Sequence, residues 1–109
     1  MSFEVVPLPE FVKELKGLAK KYRSLKPEMA ALGNALAKDP QMGTSIGQDC
    51  YKIRLAIKSK GTGKSGGARV ITCVVAVREE VYLLSIYDKS DLETLTSKRL
   101  KDLLKQVPR

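Results

Sequence analysis

The sequence contains no histidine and only two cysteines, Cys50 and Cys73. Without imidazole, any acid–base catalysis falls to Lys, Tyr, Arg or the carboxylates. The two cysteines lack the close spacing of a zinc site and have no histidine to complete a ligand set, so no metal or cofactor is expected. That pattern supports two buried thiols in a reducing compartment. Long apolar runs are also missing, and no stretch approaches the length that spans a bilayer. The opening "MSFEVVPLPE" has neither the basic nor the apolar portion of a secretory signal. A cytoplasmic protein without membrane attachment is the expectation.

Acidic residues are scarce: 12 Asp and Glu stand against 20 Lys and Arg, a formal net charge of +8. This balance favours polyanionic partners, namely nucleic acid, an acidic protein or a membrane surface. The distribution says more than the total. Lys52, Arg54, Lys58, Lys60, Lys64 and Arg69 follow one another with no Asp or Glu between them.

At 109 residues, 43% of them hydrophobic, the chain has the length of one domain, residues 1–109. "FEVV" (3–6) reads as a strand closed by Pro7 and Pro9. Phe11, Leu15, Leu18, Tyr22 and Leu25 then follow helical spacing. Pro27 suits the first turn of a second helix, whose stripe is Met29, Leu32 and Leu36 and which ends at Asp39 and Pro40. "QMGTSIGQD" (41–49) reads as loop. "CYKIRLAIK" (50–58) alternates, with Tyr51, Ile53, Leu55 and Ile57 on one face and Lys52, Arg54, Ala56 and Lys58 on the other. Residues 68–77 are apolar on both faces and predict a central strand, 78–80 a turn, and 81–87 a last strand. Ser90 and Glu93 have the spacing of a capping box before a final helix carrying Leu92, Leu95, Leu100, Leu103 and Leu104. The order β-α-α-β-β-β-α is that of an α+β domain, with helices packed on a mostly antiparallel sheet.

"KGTGKSGGARVI" (60–71) looks at first like a phosphate-binding loop. The first glycine of that motif would fall at Lys58, and a strand rather than a helix follows Ser65, so the motif lacks its structural context. A glycine-rich, mobile hairpin tip over 59–67 is expected instead, its lysines Lys58, Lys60 and Lys64 offered to phosphates.

Same-side residues on a strand are about 6.6–7 Å apart, near the spacing of successive phosphates on a nucleic-acid strand. Lys52, Arg54 and Lys58 form such a row. With the hairpin tip near residues 62–63, Arg69 falls opposite 56–58 and joins the row if it faces outward, and Tyr87 and Lys89 border it. Cations edged by an aromatic ring suit single-stranded RNA. The same cations would also serve simply to keep a sheet edge soluble. The residues alone leave both readings open.

"CYKIRL" (50–55), "GKSGGARVI" (63–71) and "VYLLSIYDKSD" (81–91), in this order after a basic helical hairpin, resemble the RelE/ParE superfamily of bacterial type II toxins, and within it the RelE- and HigB-like branch. The resemblance spans nearly the whole chain. It implies a ribosome-dependent endoribonuclease that cuts messenger RNA, inhibits translation and is held as a hetero-oligomer by a cognate antitoxin. It further implies catalytic roles for Lys52, Arg54, Arg69, Tyr87 and Lys89, while RNA binding by Lys58, Lys60 and Lys64 is expected from the charge of the tip itself. A ParE-like inhibitor of DNA gyrase and a non-catalytic nucleic-acid-binding module are the alternatives, since branches of one fold differ in function.

Overall fold

A strand with no polar face must lie at the middle of a sheet, and this constraint organises the structure, a computed structural model that describes residues 2–61 and 63–108. Thr62, in the glycine-rich tip, lies outside the described residues, as do the terminal Met1 and Arg109. The strand in question is β4 (Ala68–Val75), buried along its whole length. It pairs antiparallel with β5 (Glu80–Asp88) on one side and β3 (Cys50–Leu55) on the other. β1 (Glu4–Pro7) adds in parallel to β5, and β2 (Thr44–Gly47) adds antiparallel to β3, giving the order β1-β5-β4-β3-β2.

Two helical layers bury the sheet. Helices α1 (Pro9–Lys21) and α2 (Leu25–Lys38) set Phe11, Leu25, Met29, Leu32 and Leu36 against Ile53, Val70, Val81, Leu83 and Ile86. On the opposite face, α3 (Ser97–Leu104) and the residues after it set Leu103, Leu104 and Val107 against Cys50, Ile71, Cys73, Tyr82, Leu84 and Tyr87. Where β1 stops, α1 takes over the edge of β5. Ile86 N–H and the Ser85 hydroxyl both donate to Glu14 Oε1, at 3.3 and 2.9 Å. Burial pushes the Glu14 carboxyl upward, and those two hydrogen bonds only partly offset the rise.

The α+β architecture matches the sequence pattern, with one strand more. β2 lies inside the segment read as loop, and all four of its residues are exposed. It has no apolar alternation to announce it; pairing with β3 alone defines it. Helix α2 begins at Leu25, so this buried residue belongs to it and not to the stripe of α1, while Pro27 still occupies the first turn, where a missing N–H is harmless. β3 ends at Leu55 because Lys58–Lys60 forms a 3₁₀ turn. β4 ends at Val75, followed by a 3₁₀ turn over Ala76–Arg78 and a left-handed Glu79 with φ of 52°.

The capping box at Ser90 does not form. Thr96 caps α3, its Oγ1 accepting the Arg99 N–H at 3.1 Å, and Leu92 is exposed. Ser90 instead turns its own N–H and hydroxyl onto Asp88. This is the local competition that makes serine ambiguous in sequence.

A bulge in β5 decides which side chains share a face. Ile71 pairs with Ser85 but Thr72 pairs with Leu83, so Leu84 is the extra residue. Tyr82 and Leu84 face α3, and after the bulge Ile86 turns to the α1/α2 core while Tyr87 rejoins the α3 side.

Two glycines with opposite surroundings give a stability test. A Cβ on Gly67 would stand 2.2 Å from the Leu55 carbonyl oxygen, whereas one on Gly17, inside α1, meets nothing within 4 Å. Gly67→Ala should destabilise by about 2–3 kcal/mol, since backbone must move. Gly17→Ala should stabilise by about 1 kcal/mol through helix propensity. Urea unfolding of the two variants beside the wild type checks the pair of signs.

Candidate nucleic-acid interface

Cross-strand register builds the site. Arg54 lies directly opposite Arg69, which lies opposite Tyr87; one row along, Lys52 lies opposite Ile71 and then Ser85. The Val74 N–H to Asp49 carbonyl bond of 2.9 Å makes residues 49 and 74 a hydrogen-bonded pair. Alternation then makes 54:69 a non-hydrogen-bonded pair, with Cα atoms about 4.5 Å apart. Like charges so placed repel unless their side chains diverge. They diverge here: Arg54 is exposed, while Arg69 is only 3% exposed.

Arg69 therefore does not stand opposite 56–58 or face outward, as the strand pattern suggested. The 54:69 and 55:68 pairs centre the hairpin earlier than residues 62–63. Its guanidinium turns to the tip, donating to the carbonyls of Lys64 and Ser65 at 3.0 Å each and of Ala68 at 3.2 Å.

The Lys60 ammonium likewise is not displayed to solvent, contrary to the expectation from the tip sequence. It donates to Asp88 Oδ1 and to the Ser90 hydroxyl, both at 2.5 Å. The Asp88 side chain has no exposed surface and also accepts from the Tyr22 hydroxyl at 2.6 Å and the Ser90 N–H at 2.9 Å. Burial alone would push this carboxyl up; Lys60, Tyr22 and Ser90 outweigh it and hold Asp88 well below the usual carboxylate range.

Further ties fix the base of the tip. Lys58 N–H donates to Glu28 Oε2 at 2.9 Å, Ser59 N–H to Ser24 Oγ at 2.9 Å, and Lys89 N–H to the Gly67 carbonyl at 3.1 Å. The described part of the tip is thus pinned on both flanks, where sequence alone suggested a mobile hairpin.

These ties leave three cations together. Lys52, Arg54 and Lys64 line an open groove of about 730 Å³ with Met42, Gly43, Thr44, Ile46 and Ile53, and among the described residues no carboxylate lines it. Arg54 and Lys64 also wall a second depression of about 420 Å³ that includes Lys58 and Glu28. Both Glu28 oxygens are engaged, one by Lys58 N–H and one by the Ser24 hydroxyl. Such a pair of hollows, joined at Arg54 and Lys64, can hold successive phosphates.

The remaining candidates sit apart. Tyr87 is buried in the α3 core, so its ring is not free to stack on a base. Its hydroxyl lies beside Thr94 and the Leu95 backbone without a well-formed hydrogen bond, and burial pushes its pKa up. Lys89 is exposed, but it follows β5 two strands from β3 and two rows from Lys52, about 16 Å away by strand geometry. Lys89 and Lys52 are therefore too far apart to meet at one point of the surface. Sequence reasoning missed Asp88, Tyr22, Ser24 and Glu28; the one hint was an aspartate ending an otherwise apolar strand.

No protein-family model matches the chain. Solved structures do resemble it. A substituted E. coli toxin RelE in the free state superposes with a TM-score of 0.66 at 18% identity, over 99% of this chain and 100% of that one. The intact E. coli RelBE toxin–antitoxin complex gives 0.60 at 17% identity, over 80% and 96%. A substituted RelE bound to an antitoxin RelBc peptide gives 0.58 at 20%, over 99% and 100%. The chain has the RelE-like fold.

The Asp88 cluster predicts a pH signature. A carboxyl whose folded pKa is depressed supplies stability that is complete above its unfolded value and lost as pH falls. Stability should therefore decline below about pH 4. Asp88→Asn should cost about 2–4 kcal/mol at neutral pH, the low end of buried-pair loss because Lys60 retains some exposure. It should also flatten the acid limb. Urea titrations between pH 7 and pH 2 on both proteins check this.

Proposed function

We propose that the protein is the toxin of a bacterial type II toxin–antitoxin pair and acts as a ribosome-dependent messenger-RNA endoribonuclease that arrests translation in the cytoplasm. The observation that carries this reading is the acid-free groove in which Lys52, Arg54 and Lys64 converge on a RelE-like sheet.

Cleavage by the RNA's own 2′-hydroxyl needs that hydroxyl deprotonated, the pentavalent phosphate stabilised and the 5′-oxygen protonated. Lys52 is the base, since the chain has no histidine and this lysine lies in the groove beside Arg54 and Lys64. Arg54 is suited to bidentate contact with the phosphate, and Lys64 adds charge from the tip. Arg69 and Lys60 act by positioning, since they hold the tip backbone that presents Lys64. Lys58 and Lys89 hold flanking phosphates, and Tyr87 supports the sheet from beneath. The groove supplies its own cations, so cleavage should persist in EDTA.

Two of these E. coli structures are complexes, one with the antitoxin and one with an antitoxin peptide. For this chain, the corresponding partner is a cognate antitoxin whose acidic segment, disordered when free, covers the groove as part of a hetero-oligomer.

Primer extension after induced expression, comparing translated with untranslated transcripts, tests the activity. Cuts confined to translated messages are expected, and trapped gyrase–DNA complexes or binding without cleavage would overturn it. Lys52→Ala or Arg54→Ala should lower cleavage about 10²–10³-fold with the fold retained. Ile53→Ala, one position away but buried, should instead cost about 2–5 kcal/mol of stability. Lys64→Ala should reduce the salt slope of RNA binding by about one unit, read from titrations at several salt concentrations.

A further inference from the structure

We propose that Cys50 and Cys73 form a redox site, a dithiol that closes reversibly into a cross-strand disulfide beneath α3. The two residues are register partners on β3 and β4. The 2.9 Å bond from Val74 N–H to the Asp49 carbonyl sets the hydrogen-bonding phase, and it leaves 50:73 as a non-hydrogen-bonded pair. Cα atoms in such a pair are about 4.5 Å apart with side chains drawn together. That separation falls inside the range of roughly 4.4–6.8 Å that a disulfide spans.

Both side chains point to the same face, into the cluster with Leu103, Leu104 and Val107. Both also converge on one acceptor, the Gln48 carbonyl, at 3.4 Å from Cys50 Sγ and 4.0 Å from Cys73 Sγ. The turn that presents this oxygen holds Gln48 and Asp49 at φ of 55° and 62°, conformations unusual for residues with side chains. The site is independent of the proposed activity.

Closure proceeds by exchange with a small-molecule disulfide such as oxidised glutathione. The Cys50 thiolate, at the strand end nearer the sheet edge, attacks one sulfur of that disulfide and expels a thiolate. The resulting mixed disulfide is attacked at its Cys50 sulfur by the Cys73 thiolate, which expels the second thiolate. The two cysteines lose two protons and two electrons, and the reagent gains them as two thiols.

Access is set by α3. Neither thiol has exposed surface. The cover is a helix of eight residues, tied to α1 by the surface pair Arg99–Glu10 at 3.0 Å. A short helix so attached belongs to the elements that open locally before a protein unfolds. Oxidation should therefore follow the opening of α3.

The test uses the full chain equilibrated in glutathione buffers of increasing oxidised fraction, then acid-quenched, alkylated and weighed under denaturing conditions. The expected end state is a monomer two hydrogens lighter, with no alkylatable thiol, restored by reductant. Cys50→Ser and Cys73→Ser should each stop at a mixed disulfide or a free thiol. Two glutathiones per chain, disulfide-linked dimers, or two alkylatable thiols throughout the series would each overturn the pairing. Arg99→Ala, which loosens α3 from outside the core, should speed closure severalfold, and Leu104→Ala should speed it further. Rates unchanged in both would overturn the role of α3 as the cover.

Discussion

Asp88 is a charged group in a place where charge is costly. Its side chain has no exposed surface, and it sits at the end of a strand whose other residues are almost all buried. A carboxylate taken out of water persists only if other groups replace its hydration. Tyr22 from the end of α1, Lys60 from the tip and Ser90 from the loop after β5 do so together. Three segments distant in sequence are thereby fixed to one atom group. The helical hairpin, the glycine-rich tip and the exit from the sheet cannot shift independently while the cluster is intact.

The tip has a second brace on its other flank. Arg69 is forced to choose by its cross-strand neighbour, because Arg54 stands at the closest kind of antiparallel pair. Arg69 folds away under the tip and satisfies three carbonyls there. Arg54 takes the solvent side. One arginine thus becomes scaffold and the other becomes available for a ligand, and the difference comes from register rather than residue type. The bulge at Leu84 extends the same logic to β5, since it turns Tyr87 beneath α3 and Ile86 toward α1 and α2.

Much of the fold was legible because its signals are strong. An apolar run on both faces placed β4 at the centre, and helical stripes placed α1 and α2. β2 was not legible, because four exposed residues held only by backbone pairing carry no burial pattern. Ser90 misled because its hydroxyl serves a turn as readily as a helix cap. At the site, alternation correctly separated Lys52 and Arg54 from Ile53. It could not reveal that Lys60 and Arg69 face inward, because that depends on Asp88 and on loop carbonyls brought near only by tertiary structure. Composition showed the excess of cations but not which of them would be neutralised.

The placement of the acids explains why a basic groove survives on this surface. Asp88 neutralises Lys60, Glu14 serves the edge of β5, Glu28 holds the base of the tip, and Glu80 pairs with Arg78 at the far hairpin. Glu28 walls the neighbouring hollow with Arg54 and Lys64, but both of its oxygens are engaged. None of the four carboxylates lines the groove of Lys52, Arg54 and Lys64. With no carboxylate among the described residues lining the groove, the fields of these three cations add instead of cancelling. A concave wall against low-dielectric protein concentrates that field. The carboxylates that stabilise the scaffold therefore also keep the groove positive.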